Sequence, residues 1–413
     1  MPKLPETIHS PQTDSTSSTA KVGDGGHGWK ILMVAGEVSG DMQGSFLAEA
    51  LLARDPSLRL YGTGGVRMKA AGVDLRIETT QFSSVGIFAA LRFLAPLRGV
   101  FKKLRAIVRA DRPAVAILID NHGFNHAVAR FLKKEGIPVI YYFPPQLWVA
   151  SSLIAGGVVR NTRLIISAFE REAEIYRRHG GRAVSLGHPF LDIVKPGPDP
   201  SSVLRQLGIE ESRPVMALMP GSRRQEVERL AGLMFEAAAI IKRQIPAMQF
   251  LLPVASHHLK PRLQEICQEV GCSEQIHYVE EGIYPCLSRC VLVVTATGTA
   301  TLEAALLGVP MVAAYRVDSL SYWLARRFAI TPFVAMPNIL LEDFVVPELF
   351  QRDVTAKNLA DAALGILENP TRSESIKERF RRLPEILGGK GAVERVVGLI
   401  LGEVSSGTRS SPC

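Results

Sequence analysis

The sequence predicts an α/β protein built from two Rossmann-like, doubly wound parallel-sheet domains with a cleft between them. Short apolar runs alternate with segments of helical period along most of the 413 residues. A Pro/Gly-rich break, Lys195 to Pro200, interrupts the series near its middle, and a second series of the same kind follows. The length suits two domains that each bury a core. At 47% hydrophobic and 21% charged residues, the composition excludes a disordered or fibrous chain.

Residues 1–28 are rich in Ser, Thr, Pro and Gly without an apolar leader core, and a disordered tail is expected there. The first buried strand is Trp29–Ala35 (WKILMVA), followed by a small-residue turn and a helix from about Gln43 to Arg54. Strands at Arg59–Gly62, Val115–Ile119, Val139–Phe143 and Leu164–Ser167 alternate with helices at 88–110, bent at Pro96, and 124–135. These fill an N-terminal domain over 29–194, read as the acceptor and membrane side. Three prolines and a glycine in KPGPDP (195–200) stop both helix and central strand. The second series has strands at Val215–Met219, Gln249–Pro253, Ile276–Val279, Val291–Thr295 and Met311–Tyr315, giving a nucleotide-sugar-binding domain over 201–370. Helices over 371–403 and a Ser/Gly/Pro tail at 404–413 close the chain. Ligands of such sheets sit at the carboxyl ends of the strands.

The net charge of +8 asks for an anionic partner. Much of it is local: Arg92, Arg98, Lys102, Lys103, Arg105, Arg109 and Arg112 face one acid, Asp111. From Val85 through Val108, with Phe88, Leu91 and Phe93 among them, apolar residues stand at helical spacing beside Arg92, Lys102, Lys103 and Arg105. Such a segment can press its apolar face into a membrane interface while the cations meet head groups. The other reading is a core-packed helix with a solvated basic face. No aromatic-interleaved basic patch points to nucleic acid. The stretch Val291–Tyr315 is broken by Gly298, Glu303, Gly308 and Pro310, so no membrane span is expected. The five cysteines are odd in number, and buried free thiols in a reducing cytosol are expected in place of a disulfide framework or a metal site.

Four loops follow predicted strands. Gly36-Glu37-Val38-Ser39-Gly40-Asp41 brackets two carboxylates with small residues, suited to sugar hydroxyls, or else is a plain turn with Asp41 as a helix cap. Asp120, at the carboxyl tip of an apolar strand, is placed to take a proton from a sugar hydroxyl, or else to cap the next helix; His122 and His126 are alternatives for the base. Pro220-Gly221-Ser222-Arg223-Arg224-Gln225-Glu226 combines loop amides with a guanidinium, a good diphosphate site. Ala296-Thr297-Gly298-Thr299-Ala300-Thr301-Leu302-Glu303 lets a diphosphate approach backbone amides while Glu303 accepts from ribose hydroxyls. An ordinary capped helix start is the other reading of either loop. With neither a Walker lysine nor a dinucleotide fingerprint, the pair favours a nucleoside diphosphate-sugar.

In this order the motifs resemble the lipid-A-disaccharide synthase family, inverting glycosyltransferases of the GT-B class. The landmarks are AGEVSGD (35–41), GTGGVRM (62–68), Asp120 with Phe124-Asn125, YFPPQLW (142–148), Phe169-Glu170, Gly187-His188-Pro189, Pro220 to Arg223 with Glu226-Val227, Gly298 to Glu303, Pro310-Met311-Val312, Pro337-Asn338-Ile339-Leu340, and Pro347-Glu348 with Gln351. The likeness spans about residues 30 to 370. It implies condensation of UDP-2,3-diacylglucosamine with 2,3-diacylglucosamine 1-phosphate to a β-1,6 disaccharide plus UDP. The expected place is the cytoplasmic face of the inner membrane, held peripherally.

Carried over residue by residue, the likeness makes Asp120 the general base, with Glu37, Ser39 and Asp41 lining the cleft. Gly221, Ser222, Arg223, Gly298, Thr299, Ala300 and Thr301 would hold the diphosphate, Glu303 the ribose, and Asn338 and Gln351 the donor. No metal or other cofactor is required, since arginine and helix amides can neutralise leaving UDP. The partners implied are a UDP-sugar donor, a lipid-linked sugar phosphate acceptor and the inner membrane surface, with no nucleic acid; a homodimer is allowed. The chain departs from the family after Trp148, where Val149-Ala150-Ser151-Ser152 stands and no Lys or Arg follows until Arg160. It departs again at His122 and Gly123, where the family has a proline and an acid. These changes bear on the acceptor's phosphate more than on the donor. The competing expectations are a UDP-sugar epimerase or a transferase with another acceptor on the same scaffold, and a non-catalytic nucleotide-sugar-binding protein at the membrane.

Overall fold

The computed structural model describes residues 28–79, 94–145, 153–272, 276–318 and 331–407. The first sheet comprises β1 (Lys30–Ala35), β2 (Arg59–Gly64), β3 (Asp74–Glu78), β4 (Val115–Ile119), β5 (Val139–Tyr142), β6 (Leu164–Ser167) and β7 (Ala183–Ser185). The second comprises β8 (Val215–Met219), β9 (Gln249–Pro253), β10 (Ile276–Val279), β11 (Leu292–Ala296), β12 (Met311–Tyr315) and β13 (Glu348–Phe350). Their orders are β3-β2-β1-β4-β5-β6-β7 and β10-β9-β8-β11-β12-β13, and every pairing is parallel. The two-sheet expectation holds.

The central strands are continuous apolar runs because helices cover both of their faces. All five residues of β4 (VAILI) are buried. In each sheet the strand order reverses once, between β1 and β4 and between β8 and β11. Register brings Ala35 beside Ile119 and Met219 beside Thr295. The loop after β1 therefore adjoins Asp120, and the loop after β8 adjoins that after β11. These are the crevices where doubly wound sheets hold ligands.

Three strands escaped the sequence reading: β3, β7 and β13. All are at or near a sheet edge, short, and without an apolar run; β3 (DLRIE) is only half-buried on alternate residues. The first helix starts at Val38, not Gln43, and its glycines explain why. A Cβ at Gly44 would stand 2.7 Å from Met68 Sδ and 3.1 Å from Ile119 Cδ1, so small residues let the first turns press onto the sheet.

Of the basic segment, the described part is the helix Leu94–Ala110. Phe88, Leu91, Arg92 and Phe93 lie outside the described residues. Val100, Leu104 and Val108 are buried with Phe124, Phe131 and Leu132, while Lys102, Lys103 and Arg105 are exposed. This part of the apolar face belongs to the core and the basic face points outward, as the core-packed alternative expects of these residues. No described helix is long and apolar enough to cross a membrane.

The last helix, Ala392–Gly407, runs past the expected limit of 403 and returns to the first domain. Val396, Val397, Ile400 and Val404 pack with Ile31, Met33 and Leu51, and Glu403 pairs with Arg163 and Arg182. Met42, Phe169 and Phe190 of the first domain join the apolar cluster of the second. Cys286 and Cys290 are buried free thiols; Cys267 and Cys272 are paired, which corrects the expectation for those two.

Candidate active site

A cavity of ≈ 320 Å³ opens between the two switch points. Ser39, Arg67 and Asp120 line it from the first domain; Gly221 to Arg223, Thr295 to Ala300 and Glu303 line it from the second.

Asp120 sits at the tip of β4 with φ 53°, and Asn121 follows at φ 41°. Left-handed backbone at two successive non-glycine residues costs about 1–3 kcal/mol each and persists only where the surroundings impose it. Here the Asp120 carbonyl accepts from Asn125 Nδ2 at 2.7 Å and from Tyr141 Oη at 3.0 Å. Its carboxylate accepts from Ser39 Oγ at 2.7 Å through Oδ2 and from its neighbour's amide, Asn121 N, at 2.8 Å through Oδ1. The helix after it is capped by Asn121, whose side chain accepts from Phe124 N. Asp120 is thus not the cap, and its half-buried carboxylate faces the cavity. Sequence reasoning missed Asn125 and Tyr141 as its supports; the apolar run of β5 hid the tyrosine.

Glu37 caps no backbone group; its carboxylate meets Arg223 of the other domain. Burial raises its carboxyl above the ordinary range, while the guanidinium pulls the other way. Arg223 also donates to Glu226 Oε1 at 2.9 Å, and its buried Nε has no protein partner. Glu226 Oε2 accepts from the amides of Ser222 and Arg223 at 3.0 and 3.2 Å. The Gly221–Ser222–Arg223 turn therefore already holds an anion, its own glutamate, which corrects the expectation that these amides stand free for a diphosphate.

The turn after β11 differs. The helix Thr299–Leu306 has no side-chain cap, and a Cβ at its Gly298 N-cap would meet nothing within 4 Å. Thr299 and Ala300 of its first turn line the cavity, where helix-start amides lack intrahelical partners and suit an anion. Glu303, one turn on, is buried, and desolvation raises its carboxyl to about 7 while hydrogen bonds from Tyr284 and Thr299 oppose that.

Four expected site residues have other work. Both Asp41 oxygens are taken by the amides of Gly65, Arg67 and Met68, at 2.7 to 3.1 Å. Buried in this way, it clamps the short helix Val66–Ala70 and does not line the cavity. Thr301 Oγ1 donates to the Gly298 carbonyl and accepts from Met336 N. Asn338 is fully buried, accepting from the amides of Val345 and Val346 and donating to the Val346 carbonyl and Glu348. Gln351, at φ 46°, exchanges two hydrogen bonds with the Val317 backbone. The Pro-Asn, Pro-Glu and Gln landmarks are thus a clamp beneath the cleft. Nothing is described of the His122 side chain or of Trp148. His188 is buried against Phe143, Phe169 and Phe190, and burial lowers its pKa to about 3, which keeps the imidazole neutral at neutral pH.

Glu172, behind β6, is 1% exposed. It accepts from Ser167 Oγ through Oε2, while Oε1 has no partner. Burial raises its carboxyl to about 8. A carboxyl whose pKa is raised on folding stabilises least where it must ionise: stability is full below about pH 4.5 and falls as pH climbs through 8. Glu172→Gln removes that titration. Its melting temperature is expected to gain on the wild type between pH 6 and 9, by an amount equivalent to a few kcal/mol. Parallel melting curves across that range would show Glu172 to be ionised in the fold.

Residues 31–390 match the family model described as lipid-A-disaccharide synthetase. The lipid-A-disaccharide synthase of Geobacter metallireducens is 33% identical over 372 residues, 90% of this chain and 96% of that protein. That of Syntrophus aciditrophicus is 36% identical over 375 residues, 90% and 97%. Among solved structures, the UDP-GlcNAc 2-epimerase from Neisseria meningitidis bound to UDP-GlcNAc superposes with a TM-score of 0.59 at 13% identity. It covers 90% of this chain and 100% of its own; at that identity it shares the fold alone. Two parallel domains, a cleft at their switch points and similarity over 90% of the chain converge: the chain belongs to the lipid-A-disaccharide synthetase family and is a hexosyltransferase of the GT-B fold.

Proposed function

We propose that the chain joins a UDP-2,3-diacylglucosamine donor to 2,3-diacylglucosamine 1-phosphate through a β-1,6 bond, releasing UDP. The observation that carries this reading is the juxtaposition, in one cavity, of the Asp120 carboxylate and the uncapped helix start at Gly298. The acceptor's 6-hydroxyl gives its proton to Asp120 as its oxygen attacks the anomeric carbon from the face opposite the diphosphate. The carbon–oxygen bond to the diphosphate breaks with inversion, and the amides of Thr299 and Ala300 meet the charge that develops on leaving UDP. Glu303 is the group nearest in kind to a ribose partner. Supplying the donor with and without the acceptor and following UDP release tests the reading: release is expected only with both. Isomerisation, or UDP release with donor alone, would contradict the reading.

The same proposal places the enzyme peripherally on the cytoplasmic face of the inner membrane, through the outward basic face of Leu94–Ala110. Lys102, Lys103 and Arg105 replaced together by Ser are expected to release the protein from anionic vesicles, as should added salt. Sedimentation with vesicles that ignores both changes would remove this face from the membrane contact.

A further inference from the structure

Arg67 belongs to the short helix Val66–Ala70 just beyond β2. Its backbone is fixed: the amides of Gly65, Arg67 and Met68 are all held by the buried Asp41 carboxylate. Its side chain is exposed and lines the cavity from the first domain. From there it acts electrostatically on Glu303 and Tyr284 across the cleft. The other arginine lining the cavity, Arg223, is held by Glu37 and Glu226. Among the described residues Arg67 forms no ion pair. A cleft lined by Asp120, Glu226 and Glu303 must still admit substrates that carry phosphate. The guanidinium not already committed to a carboxylate is the one positioned to meet it.

We propose that Arg67 is a phosphate-binding residue of the cleft, engaging phosphoryl oxygens of a substrate; this rests on the transferase reading above. Those oxygens belong either to the donor's diphosphate or to the acceptor's phosphate monoester, and two measurements separate them. Calorimetry with UDP reads the first. Turnover with diacylglucosamine 1-phosphate against diacylglucosamine lacking the phosphate reads the second.

Arg67→Gln is expected to weaken one of these interactions roughly 10- to 100-fold, the loss of a charge-assisted hydrogen bond. Arg67→Lys should recover part of it, because a point charge replaces a fork. Weaker UDP binding assigns Arg67 to the donor. Unchanged UDP binding, with KM raised for the phosphorylated acceptor alone, assigns it to the acceptor. The proposal is overturned if UDP affinity and both acceptor KM values stay within about twofold of wild type while the melting temperature is unchanged. An inactive wild-type protein would defeat the transferase reading, and the UDP titration alone would then decide for Arg67.

Discussion

Asp120→Asn is expected to lower turnover about 10²- to 10⁴-fold, the share general-base catalysis contributes, while leaving UDP affinity near the wild-type value. The substitution isolates the proton transfer because little else changes. Asparagine tolerates the left-handed backbone that Asp120 adopts at φ 53°. Its amide oxygen can still accept from Asn121 N, and the carbonyl bonds from Asn125 and Tyr141 involve only the main chain. What disappears is the basic oxygen beside Ser39 Oγ. Steady-state turnover and UDP calorimetry on the same preparation check this. Near-normal turnover would make Asp120 structural and turn attention to Glu37.

Arg223→Ala is expected to have the second largest effect, and on two readouts together. The guanidinium separates Glu37 of one domain from Glu226 of the other, all three being mostly buried. Removing it leaves two carboxylates without their counter-charge. Breaking a buried pair from one side costs about 3–5 kcal/mol, less here because Arg223 keeps 28% of its side chain exposed. The melting temperature should fall, and UDP should bind roughly 10- to 100-fold more weakly because the uncovered carboxylates of Glu37 and Glu226 repel its diphosphate. Glu37→Gln in the same chain should restore part of both. Unchanged melting and unchanged UDP binding would remove Arg223 from both roles.

The fold was legible because its central strands are buried on both faces and announce themselves as apolar runs, as VMALM and VAILI do. The edges were not: β3 reads DLRIE and β13 only ELF, short strands with one neighbour and little to bury. In the site, Asp120, Arg223 and the Gly298 turn each follow a strand tip and line one cavity. A motif tells which residue types recur, not what they touch. Asn338 and Gln351 read as donor contacts because polar side chains among prolines suggest a binding loop; each instead satisfies backbone groups. Asp41 differs from Glu37 by one turn of helix, enough to direct one inward to the amides of Gly65 to Met68 and the other across the cleft. Arg67 stands inside the GTGGVRM landmark, but the motif does not tell its state of pairing from that of Arg223, whose carboxylates arrive from 186 and three residues away.

The most direct measurement is the structure of the product. Purified protein is incubated with UDP-2,3-diacylglucosamine and 2,3-diacylglucosamine 1-phosphate, and the anomeric proton of the new bond is read by NMR. A base at Asp120 opposite the departing diphosphate gives a single inversion, so a β-linked disaccharide with the large coupling of an axial–axial proton pair is expected. An α-linked product, or UDP released with no disaccharide at all, would contradict it.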